Sequence, residues 1–266
     1  TGAVYIFKKI GSTWHKQNII YDPSSADNNN FGFSVSLYKD YALIGKYSGG
    51  VNNVGVATVY KRNGSTWSAS NTLAASDAED NDNLAYSVSL YEDYALLGAP
   101  GEGGSYLGAA YIFKRHGDNS WIQQAKLIAG DQQTNDYFGL SVSIYKDYAL
   151  IGAPTGAGSN SGKAYIFKRN GETWSQQAKL VASDGVNGDY FGYSLSLYED
   201  YALIGARFDS HHTGNKDGSA YVFKRNGSTW NQQTKLVPPA SMAATLDYFG
   251  YSVSLYEDYA LIGAYY

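Results

Sequence analysis

Residues Phe191–Gly205 read FGYSLSLYEDYALIG, and the same phrase returns at Phe31–Gly45 (FGFSVSLYKDYALIG), Leu84–Gly98 (LAYSVSLYEDYALLG), Phe138–Gly152 (FGLSVSIYKDYALIG) and Phe249–Gly263 (FGYSVSLYEDYALIG). Within it, Tyr193–Leu197 alternates large and small residues, the period of a strand. Tyr198-Glu199-Asp200 is a tight turn, and Tyr201–Ala206 (YALIGA) is a second strand. A second block follows: Ala220–Trp230 reads AYVFKRNGSTW and Ala164–Trp174 reads AYIFKRNGETW. This predicts a third strand at Ala220–Lys224, a hairpin at Asn226-Gly227 and a fourth strand over Thr229–Val237.

The five tryptophans, Trp14, Trp67, Trp121, Trp174 and Trp230, fall once per unit at spacings of 53, 54, 53 and 56 residues. Four short strands in about 50 residues is the size of a propeller blade. The serine pairs Ser34/Ser36, Ser87/Ser89, Ser141/Ser143, Ser194/Ser196 and Ser252/Ser254 put small side chains on one face of each first strand, with Val, Leu or Ile on the other. Such faces let neighbouring sheets approach closely. The expectation is an all-β, five-bladed propeller of four-stranded antiparallel blades, a single domain with units 31–83, 84–137, 138–190, 191–248, and 249–266 plus 1–30. Residues 1–20 supply only third and fourth strands, and 249–266 only first and second. Their pairing is expected to close the ring; an open array of more repeats is the alternative.

Composition excludes several classes. There is no cysteine, so no disulfide, thiol nucleophile or cysteine metal site. With 17% charged residues, a net charge of −4 and no basic run, phosphate-driven nucleic-acid binding is disfavoured. No apolar stretch approaches the length of a membrane helix. Thr1 follows no leader pattern, so any targeting segment is expected to lie outside this sequence.

Phe138-Gly139 with Gly152-Ala153-Pro154, Leu84-Ala85 with Gly98-Ala99-Pro100, Phe191-Gly192 with Gly205-Ala206-Arg207, Phe249-Gly250 with Gly263-Ala264, and Phe31-Gly32 with Gly45-Lys46 resemble FG-GAP repeats, the blade motif of integrin-α-type propellers. The resemblance covers nearly the whole chain and implies adhesion. It departs in blade number, five against seven. It departs also at the first turn, where that family often carries DxDxDG calcium loops. Turns such as Tyr198-Glu199-Asp200 offer too few oxygens for that ion.

Acidic pairs precede most first strands: Asp77/Asp82, Asp131/Asp136 and Asp184/Asp189, with Asn29 and Asp247 at the second position elsewhere. They read either as cation or polar-ligand sites or as caps on turn N–H groups. The best metal candidate is Asp77, Glu79 and Asn81, although Asp82 stands where an EF-hand loop needs glycine. No cofactor is required; calcium is the one ion these loops suggest. Gly156–Lys163 (GAGSNSGK) lacks the register and helix of a phosphate loop. Gly192–Ser196 (GYSLS) lacks the second glycine of a nucleophile elbow. His15, His116, His211 and His212 recur beside no serine or aspartate, so no hydrolytic triad is expected. The repeated Trp and 26 Tyr read either as sugar-stacking platforms or as packing between blades.

The unit beginning at Phe191 breaks the pattern, with enlarged loops Arg207–Gly218 (RFDSHHTGNKDG) and Pro238–Leu246 (PPASMAATL). Both fall on one propeller face. A partner patch of Phe208, His211, His212, Pro239 and Met242 is expected there. The functional expectation is a non-enzymatic adhesion scaffold, extracellular or at the cell surface, a monomeric ring or part of a larger chain, contacting protein or glycan. A multivalent lectin with sites between blades is the alternative.

Overall fold

The computed structural model describes residues 2–22, 30–48, 51–156, 161–210, 216–239 and 247–265. Among the described residues, twenty strands form four antiparallel sheets of four strands and two of two. The first full blade contains β3 (Val35–Tyr38), β4 (Tyr41–Lys46), β5 (Val56–Asn63) and β6 (Thr66–Leu73). The second contains β7 (Ser87–Tyr91), β8 (Tyr94–Ala99), β9 (Ala109–Arg115) and β10 (Trp121–Leu127). The third contains β11 (Val142–Tyr145), β12 (Tyr148–Ala153), β13 (Lys163–Asn170) and β14 (Thr173–Leu180). The fourth contains β15 (Phe191–Tyr198), β16 (Tyr201–Ala206), β17 (Ser219–Asn226) and β18 (Thr229–Leu236). Each sheet follows chain order, so sequence neighbours are hydrogen-bonded neighbours throughout. The all-β, four-stranded blade is as expected, within two residues at each strand end.

The core lies between the sheets. One buried cluster joins the first and second blades, another the second and third, and another the third and fourth. The serines do more than leave room. Ser194 Oγ donates to the Gly250 carbonyl at 2.8 Å, and Ser87 and Ser141 donate to Gly139 and Gly192 at 2.8 and 2.7 Å. The second serines accept in return: Ser143 Oγ from Leu197 N at 3.0 Å and Ser196 Oγ from Leu255 N at 2.9 Å. The glycine closing each second strand lies against the same carbonyl. A Cβ on Gly205 would stand 2.0 Å from Gly250 O. The FG of one blade and the GA of the blade before it are thus two halves of a single contact.

The first turn is closed by arginine. Glu199 and its equivalents Lys39, Glu92, Lys146 and Glu257 hold φ near +50°. The following Asp200 carboxylate takes the Arg225 guanidinium, as Asp40, Asp93 and Asp147 take Arg62, Arg115 and Arg169. At the second hairpin only Gly227 is left-handed, with φ +63°. Asn226 stays in the strand, and its carbonyl accepts from Thr229 Oγ1 at 2.8 Å.

The expected closure is not among the strand pairings. β1 (Ala3–Ile10) bonds to β2 (Thr13–Tyr21), and β19 (Ser252–Tyr256) to β20 (Tyr259–Gly263), as two separate sheets. Tyr259 and Leu261 on β20 are 78% and 74% exposed, and Tyr5 and Phe7 on β1 are 56% and 53% exposed. Each half is anchored by stacking on its sequence neighbour: Leu255 on β19 bonds to Ser196, and Val4 and Ile6 pack against the first full blade.

Candidate functional site

The acidic pairs resolve into two structural roles. The second member caps its own turn: Asp82, Asp136 and Asp189 Oδ2 accept from Glu79, Gln133 and Val186 N at 2.7, 2.9 and 2.7 Å. The first member meets an outer-strand lysine. Asp77, Asp131 and Asp184 lie 2.7, 2.6 and 2.7 Å from Nζ of Lys126, Lys179 and Lys235. Buried tyrosines complete two of these clusters, Tyr165 donating to Asp131 at 2.8 Å and Tyr221 to Asp184 at 3.0 Å. These cations hold Asp77, Asp131 and Asp184 below the usual carboxylate range against the opposing effect of burial. Asp189 differs: burial, with the Asp209 and Asp184 charges adding to it, pushes its carboxyl up to about 6.

The metal candidate does not assemble. Asp77 is bound to Lys126, the Glu79 backbone serves the Asp82 cap, and Asn81 Oδ1 accepts from Asn53 Nδ2 at 3.3 Å. Among the described residues no group of three His, Asp or Glu is placed to hold a metal ion. Lys163, the lysine of GAGSNSGK, is buried 3.1 Å from Asp136.

The tryptophans are packing residues. Trp174 Nε1 donates to Gln124 at 3.0 Å, Trp67 to Gln17 at 3.2 Å and Trp230 to Gln177 at 3.2 Å, each in the preceding sheet. Tyr94 and Tyr148 meet Trp174 and Trp230 edge-on at 6.0 Å. Trp14, on the open side of β2, is exposed.

The axial ends of the blades carry two aromatic arrays. Where the first and second strands turn, Tyr38, Tyr91, Tyr145, Tyr198 and Tyr256 form a ladder with successive ring centroids 5.1, 4.9, 5.1 and 5.2 Å apart. Burial, then the Glu92 charge, pushes the Tyr91 hydroxyl up to about 12. On the opposite loop face, the residue after the FG and the residue after the second strand come together in three units, as Phe33 with Tyr47, Tyr193 with Arg207 and Tyr251 with Tyr265. Phe33 and Tyr47 of the first blade and Tyr86 of the second form a three-ring cluster with centroids 4.6, 5.0 and 5.1 Å apart.

In the fourth blade Arg207 takes the place of Tyr47. Its Cζ lies 3.8 Å from the Tyr193 centroid, 4.5 Å from Phe208, 5.2 Å from Tyr190 and 5.7 Å from Tyr251. Tyr251 is stacked on Tyr265 at 4.7 Å, and Tyr265 is 65% exposed. Across the axis, burial raises the Tyr86 hydroxyl, while the Arg207 charge opposes that shift.

Of the expected patch, Phe208 belongs to this basket, with Tyr190 at 4.8 Å and Tyr248 at 5.1 Å. Tyr248 follows the second enlarged loop, so the described start of the first loop lies against the residue just beyond the second. Pro239 is exposed; His211, His212 and Met242 lie outside the described residues. The residue that repeat-reading passes over is Arg207. Its signal is that it alone among five arginines stands outside the KRN/KRH phase, where sibling blades carry Pro100 and Pro154.

The model of a family described as the FG-GAP repeat matches residues 67–113, 121–167, 174–223 and 230–266. No curated protein matches the chain.

Proposed function

The chain belongs to the FG-GAP repeat family, and from that premise we propose that it is a non-enzymatic scaffold, extracellular or at the cell surface, holding a protein or glycan ligand on its loop face. Repeats of this family are typically binding or adhesion modules. The observation that carries the reading is the basket of Tyr190, Tyr193, Phe208 and Tyr251 around Arg207, beside the two enlarged loops. Elsewhere the described polar groups largely serve the architecture, the serines and Trp–Gln pairs at the joints between blades and the turn aspartates within single blades. No described helix is long and apolar enough to cross a membrane.

The glycan alternative shifts its location. Of the tryptophans that would serve sugars between blades, Trp67, Trp174 and Trp230 are bonded to glutamines and Trp121 is buried, whereas the loop-face aromatics include exposed rings at Phe33 and Tyr265. Purified protein on glycan arrays and on panels of purified extracellular proteins tests the proposal. Binding is expected, and its loss when loops 207–218 and 238–246 are shortened to the lengths of their siblings, with cooperative unfolding retained. No binding on either surface, or binding indifferent to the loops, overturns it.

A further inference from the structure

The five arginines divide four to one. Arg62, Arg115, Arg169 and Arg225 each close a turn against an aspartate of their own blade. Arg207 meets no carboxylate and no hydrogen-bond acceptor among the described residues; its Nε is buried with no partner, as are those of Arg115, Arg169 and Arg225, but those three have an aspartate on the guanidinium and Arg207 does not. A partly buried guanidinium without a counter-anion is costly. The surrounding rings provide attraction to their π faces and no hydrogen-bond acceptor along the guanidinium edge. Its Cζ sits 3.8 Å from the Tyr193 centroid, which holds the group against that ring, and its Nη groups, unlike the buried Nε, are the open functionality. A planar fork held this way matches a carboxylate through two parallel hydrogen bonds.

What surrounds the fork narrows the carrier of that carboxylate. Tyr251 and Tyr265 are nearly parallel, with 19° between their planes, and Tyr265 presents an open ring. Phe33, also exposed, and Tyr86 belong to the cluster across the axis. Flat apolar rings with hydroxyl rims suit the C–H face and hydroxyl edge of a pyranose. We propose that Arg207, Tyr193 and Tyr251 form a binding site for a carboxylated saccharide at the loop-face end of the axis. This rests on the loop-face binding reading and assigns it a ligand class.

The test is calorimetric titration of the whole chain with tri-galacturonate, its methyl ester and tri-glutamate. Tri-galacturonate is expected to bind, with the neutral ester at least about tenfold weaker, the scale of one charge-assisted hydrogen bond. Arg207→Gln should lose the same factor and Arg207→Lys less. Arg207→Pro, which installs the residue of the sibling blades, should fold and bind no better than Arg207→Gln. Equal affinity for tri-glutamate overturns the saccharide assignment in favour of an acidic peptide. Absence of tri-galacturonate binding, or unchanged affinity in Arg207→Gln, overturns the site. If array binding still depends on the enlarged loops, the broader loop-face reading survives that failure.

Discussion

Trp174 Nε1 donates to Gln124 Oε1 at 3.0 Å across the gap between the second and third blades. The joint between the first and second blades lacks this bond. Trp121 is buried with its Nε1 unpaired, and Ser70 stands where Gln17, Gln124 and Gln177 stand in other units. Ser70→Gln is expected to stabilise the protein by about 1 kcal/mol, and Gln124→Ala to destabilise it by about 1–2 kcal/mol. Urea unfolding of the two variants checks both signs.

Gly205→Ala places a methyl group against the Gly250 carbonyl and Ser194 Oγ, so the FG segment of the next unit must shift. A loss of about 2–3 kcal/mol is expected. Ser194→Ala, which removes only the hydrogen bond to the same carbonyl, should lose about 1 kcal/mol. A smaller loss for the glycine variant than for the serine variant would contradict the contact.

Lys163 and Asp136 form a buried ion pair at 3.1 Å. Lys163→Met strands the carboxylate and should cost about 3–5 kcal/mol, whereas Lys163→Met with Asp136→Asn should recover most of it. A double-mutant cycle by thermal unfolding reads the coupling. Additive effects would show that the pair is solvated.

Asp189 has its folded-state pKa raised from 3.8 to about 6, chiefly by burial. The folded protein therefore prefers the protonated acid. Stability from this group is full below about pH 4, falls between about pH 4 and 6, and stays low above that. The change is of the order of 3 kcal/mol at most. Asp189→Asn keeps an acceptor for Val186 N and should flatten this part of the pH–stability curve. An unaltered curve would assign the titration elsewhere.

The unpaired edges of β1 and β20 predict an exchange pattern. Edge-facing amides of β20 should exchange with solvent far faster than their equivalents in β16, which are bonded to β17. Equal protection would mean that the two edges are covered in solution.

Most of the blade is legible in the residue order because each feature is printed several times. The Ser-X-Ser strands, the Gly-Ala endings and the Trp phase point to the same joint, and the structure adds only which carbonyl each serine seeks. The turn aspartates are half legible: their sparse oxygens argue against a calcium loop, but Arg225 lies 25 residues beyond Asp200 and is visible only once β17 folds back. Arg207 escapes for the opposite reason. Periodicity rewards what recurs, and its cage draws Tyr251 from the next blade. Closure depends on a rotation summed over all the blades, which no single residue type encodes.

Each first serine at a joint recognises main chain, Ala85, Gly139, Gly192 or Gly250, and not a side chain peculiar to one neighbour. For this contact any unit is therefore a chemically adequate companion for any other. Dropping or duplicating a whole unit would keep this main-chain half of every joint, while the tryptophan–glutamine half would survive only where the unit before supplies the glutamine.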